Sequence, residues 1–203
     1  MRLNILAILF FGAFCSCRQP VSKLPILGDP IINGRDTIYP TIARFSLIDQ
    51  DSETISNQTF DNKIYVADFI FLSCPSICPK MTGELNTVYK AYANDERVQF
   101  ISHTIDPDRD SILRLKLYAE NLGVSSDKWH FVTGNKDSIY RLANNSYFSA
   151  AFPDSTAPGG FTHSGAFLLI DKNRHIRGVY NSTKDDETQR LINDIRILIK
   201  EQF

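Results

Sequence analysis

Hydrophobic and polar positions divide the chain into one apolar run near the start, a short unpatterned segment, and a long region where strand-like and helix-like periods alternate. In "ARFSLIDQ" the alternation of Phe45, Leu47 and Asp49 predicts a strand. "DSET" supplies turn residues before a second extended piece around Ile55 to Phe60, so the pair reads as a hairpin. "KIYVADFIF", Lys63 to Phe71, is nearly continuous in β-branched and aromatic residues, the pattern of a central strand buried on both faces. From Pro79 onward, Met81, Leu85, Val88, Tyr89 and Tyr92 recur at helical spacing, and a proline suits the first helical turn because its missing N–H has no partner there.

The alternation then repeats. "RVQFISHTI" predicts a strand and "DSILRLKLYAENLG" a helix, capped by Asp110 or Ser111 and stopped by Gly123. "KWHFVTG" and "NKDSIYRLANNSYF" give a further strand and helix. The stretch "FPDSTAPGGFTHSG" reads as a loop, "AFLLI" and "HIRGVY" flank "DKNR" as a second hairpin, and a last helix runs from about Asp185 to Gln202. The expected fold is α/β and thioredoxin-like, a mixed central sheet flanked by helices with an N-terminal β-hairpin.

The start of the chain has a different character. Arg2 precedes the apolar run Leu3 to Phe14, too short to span a bilayer comfortably but matched to a signal-peptide core. Ser16 followed by Cys17 resembles a bacterial lipobox, with Cys17 as the lipidated residue. The predicted organisation is a lipoprotein-type signal peptide over 1–16, a Pro- and Gly-rich tether over 17–40 and one domain over 41–203. This predicts a membrane-anchored lipoprotein of the bacterial cell envelope, facing the periplasm. A net charge of −1 lacks the basic excess of a phosphate-backbone binder, so nucleic acid is not an expected partner.

With Cys15 removed and Cys17 acylated, Cys74 and Cys78 in "FLSCPSICPKM" remain as the thiols. They lie on a predicted strand-to-helix turn, where unpaired N–H groups and the helix dipole favour thiolates. Three readings stay open: a structural disulfide, a redox dithiol, or a site for a soft cation such as Cu(I). A bridge across three residues closes a small loop and adds little entropic stabilisation, and the carboxyl end of a strand is where α/β sheets present chemistry. The spacing is wider than the C-x-x-C of conventional dithiol reductases, which favours metal. Of the four histidines, His103, His130 and His175 read as strand or turn residues with local hydrogen bonds. His163 ends a glycine-rich loop that a thioredoxin-like sheet would place beside the cysteines.

From about Phe45 to the C-terminus the chain resembles the SCO/SenC family of copper-binding, thioredoxin-like assembly factors for cytochrome c oxidase. The resemblance rests on "FLSCPSICPKM", "ISHTIDPDRDS", "LYAENLG", "KWHFVTGNKDSIYRLA" and "HSGAFLLIDKN" in that order. It implies copper as Cu(I) or Cu(II), held by Cys74, Cys78 and His163. Asp106 and Asp110 match the family's acidic loop, either as turn and cap residues or with a role near the metal. Where the family often has Thr-His before the first cysteine, this chain has Leu72 and Ser73.

The implied function is a metallochaperone rather than an enzyme, delivering copper to the apo-subunit of a respiratory oxidase or to another periplasmic copper protein. The alternative is a thiol-disulfide oxidoreductase acting on a client copper site, with Cys74 as nucleophile and Cys78 as resolving thiol. A peroxidase acting through Cys74 lacks the accompanying Gln/Trp pattern, since Trp129 is the sole tryptophan.

Overall fold

The computed structural model describes residues 23–203; the expected signal peptide, Cys15 and Cys17 lie outside the described residues. In chain order the elements are β1 (Ile31–Asn33), β2 (Asp36–Ile38), β3 (Ser46–Ile48), β4 (Thr54–Ser56), β5 (Ile64–Ile70), α1 (Cys78–Tyr92), β6 (Val98–Thr104) and α2 (Ile112–Leu122). There follow β7 (Trp129–Val132), α3 (Lys136–Asn145), β8 (Ala151–Pro153), β9 (Phe161–His163), β10 (Ala166–Ile170), β11 (Ile176–Asn181) and α4 (Asp185–Gln202).

Five strands form the central sheet in the order β11-β10-β5-β6-β7. β5, β6 and β7 run parallel, and β10 pairs antiparallel with both β5 and β11. The apolar run of β5 follows from its place: it is central, covered on both faces, and every one of its residues is buried. The two parallel connections are the βα units read from the sequence, and the β10–β11 hairpin closes the other edge. This is the thioredoxin-like layout.

Aromatic packing fills both faces. Tyr89 of α1 and Phe100 of β6 pack with Trp129, whose indole N–H donates to Ser102 at 2.9 Å. Elsewhere Phe69 stacks on His103 at 4.7 Å, and both meet Tyr147 edge-on. α1 and α4 are fastened side by side by Tyr92 donating to the Ile192 carbonyl and Thr188 donating to Glu84.

The capping chemistry explains the helix limits. Ser111, not Asp110, caps α2 by accepting the Arg114 N–H, and Gly123 ends that helix in the left-handed region at φ 67°. Asn135 caps α3 in the same way through Ser138.

Three local differences from the sequence expectation stand out. β4 is only three residues long and passes into a 3-10 turn at Asn57–Phe60, because Ser56 and Thr59 form a reciprocal cap. The stretch read as a bare loop before "AFLLI" contains the β8–β9 hairpin, in which Ala151 faces His163. Within the segment read as tether, β1 and β2 form an exposed hairpin and residues 24–27 lie on the domain. The Leu27 N–H donates to the Ile176 carbonyl, and the buried Arg177 holds the Leu24 and Pro25 carbonyls together with Asp171 and Glu201. No helix among the described residues is long and apolar enough to cross a membrane.

Candidate metal centre

The site sits where β5 gives way to α1. Past Ile70 the chain turns sharply, with the Cys74 N–H donating to the Phe71 carbonyl at 3.1 Å. Cys78 is the first residue of α1 and Pro79 the second, so neither interrupts an intrahelical bond. Ile77 precedes them with no side-chain cap, which leaves the positive end of the helix facing the cysteines. The turn is held from below by Asp110. Its Oδ2 accepts the Leu72 N–H at 3.0 Å and the Thr104 hydroxyl at 2.6 Å, and the residue is fully buried.

His163 arrives from the opposite direction, at the end of β9. Its hairpin is shaped by Asp154, which accepts from Thr156 and from the Thr162 hydroxyl, and by Gly159 at φ 84°. A Cβ on Gly159 would come within 2.6 Å of the Phe71 ring, so the close approach of hairpin and cysteine turn requires glycine there. The His163 imidazole meets Phe71 edge-on at 5.6 Å.

These elements bring the Cys74, Cys78 and His163 ligand atoms within 4.8 Å of one another, with Cys78 Sγ 3.4 Å from His163 Nε2. First-row metals bond sulfur at about 2.3 Å and imidazole nitrogen at about 2.0–2.1 Å, which sets ligands around one ion roughly 3.5–4 Å apart. The triangle is near that size, and its two sulfurs and one nitrogen are the donor set that suits a soft ion. Both cysteines are free thiols. A pocket of 180 Å³, lined by Phe71, Cys74, Ser76, Ile77, Pro158 and His163, lies beside the cluster.

The electrostatics separate the two sulfurs. Burial pushes the Cys74 thiol up, but hydrogen bonds from Ser76 and Cys78 outweigh it and bring its pKa below the ordinary thiol value. Cys78 is more deeply buried, and desolvation above all, with Cys74 beside it, pushes its thiol well up. Burial also lowers the His163 pKa, which favours the neutral imidazole, the form that binds a metal.

The remaining candidates have other roles. His103 and His130 place Nδ1 on partners distant in sequence, the Asp68 carbonyl at 3.2 Å and Asp49 at 3.1 Å, whereas His175 Nδ1 lies 3.5 Å from Asp171 and makes no hydrogen bond. Asp106 pairs with Arg109 at 3.1 Å, and neither Asp106 nor Asp110 joins the ligand cluster. Asp110 acts on the site indirectly, through the Leu72 N–H. Replacing it with alanine removes two hydrogen bonds, one from the half-buried Leu72 N–H and one from the buried Thr104 hydroxyl, a cost of about 2–4 kcal/mol. Urea unfolding of Asp110→Ala against the parent checks this, and a loss below about 1 kcal/mol would contradict it.

A residue the motifs did not single out is Asp68, the one charged position inside β5. It is 1% exposed, its Oδ1 has no partner, and desolvation raises its pKa to about 7. The sequence signal was there, an acid inside an otherwise apolar strand.

The sequence model of the SCO1/SenC family matches residues 35–200. The chain belongs to the SCO1/SenC family. Among its relatives is a Stutzerimonas stutzeri protein whose name refers to copper binding, 28% identical over 160 residues and covering 76% of each chain. A SCO1/SenC family lipoprotein from Bacillus anthracis str. Ames has a crystal structure that superposes with a TM-score of 0.72 at 25% identity, over 78% of this chain and 95% of that one. BsSco, described as having a disulfide switch and as a member of the Sco family of cytochrome c oxidase assembly proteins, superposes at 0.68 with 26% identity, over 84% and 95%. Within this SCO1/SenC chain, the matched region begins in the turn between β1 and β2 and ends inside α4, so it contains the whole candidate centre.

Proposed function

We propose that this SCO1/SenC protein is a copper chaperone, held at the membrane through a lipid on Cys17 and delivering copper to a respiratory oxidase subunit or another periplasmic copper protein. The observation that carries the reading is the convergence of Cys74, Cys78 and His163 from two separate elements onto one small triangle. The lipoprotein relative and the assembly-factor relative support the anchor and the client. Chain chemistry assigns the roles. Cys74 and Cys78 hold Cu(I) as thiolates, and metal binding displaces their protons, including the one that burial retains on Cys78. His163 adds a borderline nitrogen donor that makes Cu(II) accessible. The pocket beside Cys74 and His163 gives a recipient's ligands a route to exchange for these.

His163→Ala tests the division of labour. Cu(II) affinity should fall at least about tenfold more than Cu(I) affinity, read from anaerobic and aerobic titrations against competing chelators. Equal losses would refute it.

The unequal thiols favour one second reading. Cys74, with the lowered pKa, is the thiol suited to attack a client disulfide; Cys78 then resolves the mixed disulfide, leaving the client reduced and this protein oxidised. A mixed disulfide trapped by Cys78→Ser would support it, and its absence with plausible clients would remove it.

A further inference from the structure

We propose that Phe161, held under Arg109 and Lys136, is the positioning residue that sets His163 against the two cysteines. The inference rests on the copper reading above and adds a determinant of oxidation-state preference outside the ligand set.

The hairpin carrying His163 has strands of three residues each, too short to fix a ligand by its own ladder. Successive strand residues point to opposite sides, so Phe161 and His163 share a face. Both rings meet Phe71, at 5.2 Å and 5.6 Å. Fixing the Phe161 ring therefore fixes the face on which the imidazole is presented. Two cations flank the ring: Arg109 Cζ lies 5.8 Å and Lys136 Nζ 6.0 Å from its centroid. Each cation is in turn held by an acid, Arg109 by Asp106 at 3.1 Å and Lys136 by Asp108 at 2.6 Å.

The acidic loop between β6 and α2 thus controls both halves of the site. Asp110 holds the cysteine turn through Leu72, and Arg109, its neighbour in sequence, holds the histidine hairpin through Phe161. One rigid loop sets the distance between the sulfur pair and the nitrogen. Cu(I) is satisfied by two thiolates, so a loosened hairpin should cost Cu(II) and leave Cu(I) nearly unchanged.

The test compares Phe161→Leu, which keeps an apolar contact with Phe71 but loses the π face, with Phe161→Tyr, which keeps that face. For Phe161→Leu we expect Cu(II) affinity to fall about fivefold to tenfold and Cu(I) affinity by less than about twofold. The nitrogen hyperfine structure of the Cu(II) resonance spectrum should move toward that of His163→Ala. In the metal-free protein the His163 ring resonances should broaden. Phe161→Tyr should restore all four readouts. An unchanged Cu(II) site and sharp His163 resonances in Phe161→Leu would overturn the proposal, as would equal losses in Phe161→Leu and Phe161→Tyr, or a Cu(I) loss matching the Cu(II) loss. If the parent protein binds no copper, the chaperone reading falls, and the His163 resonances still decide whether Phe161 positions the ring.

Discussion

Changing both site cysteines, Cys74→Ser with Cys78→Ser, is expected to lower Cu(I) affinity by at least about a thousandfold. A serine hydroxyl does not ionise near neutral pH and is a hard donor, so neither replacement can stand in for a thiolate. His163 alone is left, and one imidazole cannot compete with a chelator for Cu(I). The fold should tolerate the change. Both cysteines lie at the rim of the core, 8% and 4% exposed, and a buried hydroxyl in place of each thiol costs about 1–3 kcal/mol. The measurement is an anaerobic competition titration of the reduced domain beside the double variant, with urea unfolding of both as the control. Retention of tight one-to-one binding would put the copper elsewhere and sink the proposed centre.

The second large effect concerns two buried groups that titrate in opposite senses. Asp68 has its pKa raised from 3.8 to about 7, so between those values the folded state holds a proton that the unfolded state has lost. Stability from this group therefore falls as pH rises through the window, by about 4 kcal/mol in total. His103 is the reverse: burial lowers its pKa from 6.5 to about 4, so the unfolded state binds the extra proton. Its contribution is present above pH 6.5 and is lost as pH falls toward 4, about 3 kcal/mol in all. The two slopes oppose each other between pH 4 and 6.5, and each masks the other in the parent protein. Asp68→Asn should gain stability relative to the parent as pH rises from 4 to 7. His103→Gln should lose it relative to the parent between 4 and 6.5. Urea unfolding of the reduced, metal-free proteins across pH 4.5 to 7.5 checks both, and stability differences that do not vary with pH would contradict them.

How much of this was legible in the sequence depended on how local the signal was. β5, α1, the β10–β11 hairpin and α4 follow from runs long enough to show a period, and Ser111 and Gly123 mark α2 through chemistry within one helical turn. The two cysteines share one turn, so their spacing already spoke. His163 was different: 85 residues separate it from Cys78, and the expected sheet layout placed its loop nearby while only the resemblance made it a ligand, before the structure brought the two to 3.4 Å. β8 and β9 were read as loop because three-residue strands interrupted by Pro153, Pro158 and two glycines carry no period of their own. Their existence depends on pairing with each other and on the fit of Gly159 over Phe71. Asp110 looked like a helix cap because a cap needs only neighbours, whereas its partners Leu72 and Thr104 are supplied by two different strand ends.

The clamp of Arg177 on the Leu24 and Pro25 carbonyls has a consequence for how far the protein can range. Were Cys17 the anchor proposed above, only seven chain steps would separate it from the clamped Leu24, a reach of at most about 25 Å at full extension. A lipid on Cys17 would then keep the domain on a short leash, sweeping a thin shell just above the bilayer. Only a recipient whose copper site lies in that shell would be served. Releasing Arg177 would widen the sweep without touching a metal ligand.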